Sequence, residues 1–420
     1  MTLPIETNLA DPDLIPGIAG PPHALFALWR EHDPVHWNPP PANYRLPDPT
    51  AGLTRGFWVL TRYQDVYDVS RDQELFSSHA GGPLVWDLDA NGLAQQQAGI
   101  MGMPSDQHAQ VKRLLLPSFA HKALAAFEPD IARVAREIVD SVARKGSCEF
   151  VFDVASKLPV YTFCAMMGIP DQDREHIFKL GNAAADVESE TAQGMAPTLS
   201  LLGYAGQLAQ AKRAAPDASM MSALVNGAVD GEKLTDAQIG MFFVTMSLAG
   251  HETTRSTAVH FIRLMNEHPE QYALVRSDPQ RYLPNAIDEV LRVAPPVIQF
   301  RRTATRDTRI GGKDIKAGDK LYLSYPAANR DPAEFADPDR FDINRENASR
   351  HLSFGTGPHV CLGARLARMQ LRLLLTEILT RIPEIRTSQP PKFLRSIWFN
   401  AIMNMPVEFE AERAQIAPAA

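Results

Sequence analysis

The stretch "HLSFGTGPHVCLGARLARMQ", His351 to Gln370, sets one cysteine, Cys361, behind Gly355 and Gly357 and ahead of Gly363, with a run that reads as a helix starting directly after it. Glycines let the backbone turn tightly and approach a bulky group closely. A thiolate at Cys361 would face backbone N–H groups and the positive end of the following helix, both of which lower a thiol pKa. A cysteine that merely packs needs none of these glycines. That plainer reading goes to Cys148 and Cys164, each in an apolar helical context. A nucleophilic cysteine would need a histidine partner, and His359, two residues away in an extended loop, is expected to point to the other side.

Upstream of that loop, Leu234 to Pro269 holds an apolar helical pattern for about 33 residues, on the order of 50 Å, enough to cross the whole molecule. Thr235 and Gln238 fit a capping box at its start. Within it, "AGHETT" (249–254) places Gly250, Glu252, Thr253 and Thr254 in an otherwise apolar run. Glycine and threonine are poor helix formers, so a local distortion that frees a carbonyl and opens a groove is expected there. A satisfied polar patch with a tolerated glycine is the competing reading. Zinc chemistry of the HExxH kind is excluded, because Arg255 stands where the second histidine would be. Further on, "NAIDEVLRVAPP" puts Glu289 and Arg292 three apart on one helix face, a spacing that by itself ordinarily marks a solvated contact.

The 420 residues carry 42 Lys and Arg against 49 Asp and Glu, a net charge of -7, which argues against nucleic acid as the main partner. The opening "MTLPIETNLADPDLIPGIAG" has no basic segment followed by an apolar run, so a cytoplasmic protein without membrane anchor is expected. Three scattered cysteines without CxxC spacing indicate neither a disulfide framework nor a zinc or iron-sulfur site. "FWVLTRY" at Phe57 reads as a strand leading into a short helix, and 104–284 is mostly helical. Arg302 to Leu323 alternates around a Gly-Gly turn and reads as a small sheet. With no repeat and no linker, the expectation is one large domain over 1–420, mainly α with a minor β region, whose first 20 residues form an irregular arm.

Together and in this order, the long helix with its acid-alcohol pair, the Glu-x-x-Arg helix and the Phe-Gly-x-Gly-x-His-x-Cys-x-Gly loop resemble the cytochrome P450 haem-thiolate monooxygenases. The resemblance runs from Phe57 to the carboxyl terminus, and the loop motif is highly specific. It implies that Cys361 is the axial thiolate of haem b, held between the long central helix and the helix after the cysteine, and a thiolate ligand favours O–O cleavage. By the same resemblance, Glu252 and Thr253 relay protons during oxygen activation and Gly250 makes room for O2. Phe354, Gly355 and Gly363 shape the haem loop; His108, Lys112, Arg302 and His351 meet the haem propionates, with Lys112 replacing the family's usual arginine. Glu289, Arg292 and Arg340 form a structural charge triad.

The chain shows neither a GxGxxG segment nor a cysteine-rich ferredoxin segment, so NAD(P)H electrons are expected through a separate acidic ferredoxin and its reductase, docking on Lys112, Arg113, Arg350, Arg365 and Arg368. Stretches that lie over the haem in the family suggest a pocket of Trp86, Thr245, Leu248, Ala249, Val297, Ile298, Phe300 and Trp398, together with the segment between Lys179 and Lys212. Those stretches are poor in cations apart from Arg395. They suit a neutral hydrophobic substrate, a terpenoid first and then a steroid or alkyl aromatic. The alternatives are a fatty-acid or aromatic-acid hydroxylase, a peroxide-driven relative, and a haem-binding sensor or carrier without turnover.

Overall fold

Apolar residues at three and four spacing fold into helices along most of the chain. The computed structural model describes residues 3–10, 20–41, 51–185, 195–229, 231–382, 384–394 and 396–412. In order, the helices are α1 (His23–His32), α2 (Tyr63–Arg71), α3 (Ala90–Ala98), α4 (Ser105–Leu115), α5 (His121–Ala143), α6 (Lys157–Met167), α7 (Arg174–Ala185), α8 (Ala196–Ala214) and α9 (Met220–Asn226). They continue with α10 (Asp236–Glu267), α11 (Pro269–Ser277), α12 (Pro279–Val293), α13 (Tyr325–Ala328) and α14 (Ala364–Arg381). None is long and apolar enough to cross a membrane among the described residues.

The 32-residue α10 is the axis of the molecule. Its capping box forms as expected: Gln238 N donates to Thr235 Oγ1 at 3.2 Å and Thr235 N donates to Gln238 Oε1 at 2.9 Å. The expected distortion at 249–254 does not occur, and the helix runs through unbroken. The threonine hydroxyls bond back into the helix instead, Thr253 Oγ1 to Ala249 O at 2.7 Å and Thr257 Oγ1 to Thr253 O at 2.8 Å. Packing on neighbouring helices, not propensity, holds this stretch.

One apolar cluster joins α5, α10, α12 and α14, and a second joins α6, α8, α9 and α10. The β region is wider than Arg302 to Leu323. Strands Gln299–Ala304 and Lys320–Ser324 pair with each other, and the sheet order Val35–Asn38, Phe57–Leu60, Lys320–Ser324, Gln299–Ala304, Phe76–Ser77 brings in the first third of the chain. The Gly-Gly turn is real: Gly311 and Gly312 have φ of 54° and 84° and link the short strands Thr308–Ile310 and Lys313–Ile315. A second sheet aligns Arg386–Thr387, Pro406–Glu408 and Ser147–Glu149. Of the amino-terminal arm, residues 3–10 are irregular and docked, with Trp29 Nε1 donating to Ile5 O and Leu9 N to Asn38 Oδ1.

Candidate haem and substrate site

The cysteine loop closes on itself before it meets anything else. Cys361 N donates to Phe354 O at 2.8 Å, and Gly355 and Gly357 sit in the left-handed region with φ of 66° and 70°. A Cβ on Gly357 would lie 2.8 Å from Ser70 O, so only glycine lets the loop lean on the end of α2. Cys361 lies just before the amino terminus of α14, and its exposed side chain opens onto a cavity of about 460 Å³. Burial pushes the thiol up, the opposite of the expected lowering, while the Gly363 N–H, Arg368 and Lys112 pull the other way. Desolvation outweighs the helix terminus here. Cys164 is buried on α6, but Cys148 is half-buried on the strand Ser147–Glu149 rather than in the expected helical context; burial pushes both thiols up to about 12.

Arg302, His108, Lys112 and His359 gather along the cysteine end of the cavity, and among the described residues no Asp or Glu lines it. Arg302 is buried, and among the described residues its Nη1 donates only to Arg301 O, at 2.8 Å. Burial, then Lys112 and Arg302, pull His108 down to about 4. The His108 and His359 rings lie 4.1 Å apart, and burial with the same cations holds His359 down to about 2. Lys112 Nζ donates to Pro358 O at 2.6 Å and so also braces the cysteine loop. Cations without counter-ions around one wall need anions, and a haem with two carboxylates fits them. Opposite, a Cβ on Gly250 would meet nothing within 4 Å.

His351 is a correction. It lies outside the cavity lining, buried, with Nε2 3.5 Å from Asp288 Oδ1 and Nδ1 accepting from Ser353 N. His359 takes the place expected for it, because the two left-handed glycines turn its ring inward, where it shares a 3.1 Å hydrogen bond with Ser78 Oγ. Phe354 lines the cavity with the Arg368 guanidinium 4.5 Å over its ring.

Thr253 and Gly250 face the cavity, and Glu252 does not. One residue earlier is about 100° round the helix, and there Glu252 is buried against Arg255 at 2.5 Å and accepts from Ser256 Oγ at 2.9 Å. Arg255 Nη1 in turn donates to Asn182 Oδ1 on α7 at 3.2 Å.

The Glu289–Arg292 pair is fully buried rather than solvated, with bonds of 2.7 and 2.8 Å. Its third member is Arg345, whose Nε donates to Glu289 Oε1 at 3.2 Å. Arg340 does not join through its side chain, which is exposed 3.7 Å from Asp342; its carbonyl instead accepts from Arg292 and Arg345.

Of the expected pocket, Trp86, Thr245, Leu248, Ala249, Val297, Phe300 and Trp398 line the cavity. Ile298 does not: it packs beneath with Phe26, Trp29 and Tyr322, because the chain at Val297 makes an isolated bridge to Phe399 before the regular strand begins. Met101, Met241 and Met246 add to the apolar wall. The segment between Lys179 and Lys212 contributes Ala184, Met195, Thr198, Leu199 and Leu202, while its residues 186–194, like Arg395, lie outside the described residues. On the cysteine face, Arg113 and Arg365 are exposed without an ion pair among the described residues. Lys112 is tied to the loop, Arg350 to Glu334 and Arg368 to Asp288.

A family model described as cytochrome P450 matches residues 204–402. A steroid C26-monooxygenase of Rhodococcus jostii is 31% identical over 97% of this chain and 86% of its own length. A methyl-branched lipid omega-hydroxylase of Mycobacterium bovis is 33% identical over 91% of this chain and 90% of its own. Among solved structures, a cytochrome P450 of Mycobacterium marinum in complex with pseudoionone superposes with a TM-score of 0.88 at 33% identity, covering 96% of this chain and 98% of that one.

Proposed function

Since this chain belongs to the cytochrome P450 family of haem-thiolate monooxygenases, we propose that it hydroxylates a neutral hydrophobic molecule, a terpenoid first and a steroid or alkyl aromatic next. Its electrons come from a separate acidic ferredoxin and its reductase, and it works in the cytoplasm. The observation that carries the substrate reading is the charge distribution of the cavity. Among the described residues, the charged and titratable groups along its wall are Lys112, Arg302, His108 and His359 near the cysteine, together with Cys361 itself and Tyr325. The cations there are claimed by the haem carboxylates. Away from the cysteine, a substrate carboxylate would be desolvated without a partner, at a cost of several kcal/mol. The names of the relatives, a steroid and a methyl-branched lipid, and the pseudoionone bound to one of them, agree with an isoprenoid skeleton.

Haem, when bound, supplies oxygen activation. The chain's own residues do the rest. Cys361 holds the iron, and Arg302, Lys112, His108 and His359 hold the carboxylates. Trp86, Val297, Phe300 and Leu248 exclude water and orient the substrate. Thr253 Oγ1 carries the proton that faces the cavity; turning away from Ala249 O presents it to the reaction. Glu252 supplies charge behind the helix. Arg113 and Arg365 present the cationic face to the donor.

Replacing Cys361 by His removes the strongly red-shifted carbon monoxide band of the reduced protein, whereas Cys148→Ala and Cys164→Ala keep it. A retained band in the Cys361 variant overturns the ligand assignment. In spectral titration, neutral isoprenoids give the tighter high-spin shift; a tighter response to simple carboxylic acids overturns the substrate reading.

A further inference from the structure

Two strands at the centre of the large sheet bury cations that the cavity wall does not use. Register pairs Arg301 with Tyr322 and Thr303 with Lys320, so Arg301 and Lys320 stand on one face, while Arg302 stands on the other and lines the cavity. Both side chains are buried, which is costly for a cation. Burial pulls Lys320 down to about 8 and Arg301 down to about 10, although Asp87 opposes it in both. What they hold is one short piece of chain. Residues 78–86 form neither helix nor strand. Lys320 Nζ donates to Val85 O at 3.2 Å and to both carboxylate oxygens of Asp87 at 3.0 Å, and between them Arg301 Nη1 donates to Trp86 O at 3.2 Å. The Arg301 N–H adds a bond to Pro83 O at 2.7 Å. Gly81 makes room, since a Cβ there would run into the Arg301 guanidinium. Asp87 is fixed in turn by the Thr54 and Arg55 N–H groups at 2.9 and 3.0 Å. Three consecutive residues are thus gripped from the sheet. The middle one is Trp86, which lines the cavity at right angles to Trp398, with ring centroids 5.6 Å apart.

We propose that Arg301 and Lys320 are positioning residues for the reaction: by clamping the backbone at Val85 and Trp86 and the side chain of Asp87, they hold the Trp86 ring at one angle over the cavity. Apolar residues on these two strands would pack without the desolvation cost, so stability alone does not call for buried cations there. An irregular segment held only by its own side chains would let an indole swing. Arg and Lys reach across from the sheet and take the carbonyls on either side of the Trp86 N–H, which removes that freedom. A substrate pressed against a fixed indole offers the same carbon at each turnover; against a swinging one it offers several. The clamp rests on the reading of this cavity as the substrate site, and adds to it two residues that lie outside the lining.

The test uses the holoprotein with pseudoionone as probe, the high-spin shift giving affinity and product analysis the oxidised carbon. Trp86→Leu weakens pseudoionone about tenfold, through the lost indole contact, and scatters the oxidised position. Arg301→Met and Lys320→Met each reproduce this to within about threefold, with the carbon monoxide band of the reduced protein intact. Placed in the Trp86→Leu background, they change affinity by less than about twofold, because the ring they position is gone. Asp87→Asn loosens Lys320 without emptying a buried site and weakens binding about threefold, so it decides the matter where a methionine variant does not fold. Unchanged affinity and product position in Arg301→Met and Lys320→Met, or in Asp87→Asn where those do not fold, overturns the clamp. An equally large effect in the Trp86→Leu background also overturns it, by marking a general loosening of the sheet. If the unaltered protein responds to geranic acid and not to pseudoionone, the neutral-substrate reading falls, and the same variants titrated with geranic acid decide the clamp by the same outcomes.

Discussion

Glu289 with Arg292 on α12 and Glu252 with Arg255 on α10 share one spacing, and both pairs are buried, at 0% and 2% side-chain exposure. The shells around them differ. Glu289 accepts from Arg292, from Arg345 Nε and from Asp342 N, while Arg292 also donates to the carbonyls of Asn329, Pro338 and Arg340. Each polar atom has a destination, and the pair stitches α12 to the coil that leads into the cysteine loop. Glu252 has Arg255 and Ser256, Arg255 has Asn182 and a long 3.7 Å contact to Met403 Sδ, and Arg255 Nε has no partner among the described residues. A saturated ion pair is a fixture. An under-satisfied one, one residue from the cavity-facing Thr253, keeps freedom to rearrange.

The sharpest way to break this contrast is to remove both members of each pair. Replacing Glu289 by Leu and Arg292 by Met together strands the Asn329 and Pro338 carbonyls, the Asp342 N–H and Arg345 Nε, each at ~1–3 kcal/mol, so stability falls by at least ~4 kcal/mol. That is a large share of an ordinary domain's stability, and little folded holoprotein is recovered. Urea denaturation measures it, and a double variant within about 1 kcal/mol of the unaltered protein would make the two pairs alike.

On α10 the order reverses. Arg255→Met alone leaves Glu252 buried without a cation and costs ~3–5 kcal/mol, whereas Glu252→Leu with Arg255→Met leaves only Ser256 and Asn182 to find other partners and recovers to within ~2 kcal/mol. Additive losses in the same urea experiment would mean that the α10 pair is a fixture too.

The same contrast separates what was legible in the sequence from what was not. The cysteine loop and the start of α10 are local devices: Gly355 and Gly357 next to Cys361, and Thr235 three before Gln238, act over a few residues and show in the sequence. Side-chain direction does not. Whether His351 or His359 turns inward depends on two left-handed residues between them. Whether Glu252 faces the cavity depends on where α7 packs. The sheet pairs Phe76 with Ala304 and Trp58 with Leu321, contacts across more than half the chain that no local pattern encodes. The Glu289 pair was legible as a pair but not as buried, since burial comes from the coil folding over it.

Arg345 gives a smaller, more local probe of the saturated shell. Its side chain is 8% exposed and bridges Glu289 to the carbonyls of Ala336, Asp337 and Arg340. Arg345→Ala removes a charge-assisted bond and should lower stability by ~1.5–3 kcal/mol, read from the urea midpoint with an unchanged slope. A loss below about 0.5 kcal/mol would take Arg345 out of the cluster and reduce the α12 shell to a single pair.

Arg340→Ala is the smallest effect and the most discriminating. The side chain is 66% exposed, and its nearest acid is Asp342 at 3.7 Å, an arrangement worth little in water. What this residue gives the cluster is its carbonyl, which accepts from Arg292 at 3.0 Å and Arg345 at 2.9 Å. Alanine keeps that carbonyl. Stability should therefore change by no more than ~0.5 kcal/mol, with the carbon monoxide band of the reduced holoprotein intact. A loss of about 2 kcal/mol, comparable to that of Arg345→Ala, would place the Arg340 guanidinium on Glu289 in solution and undo the assignment of Arg345 as the third member.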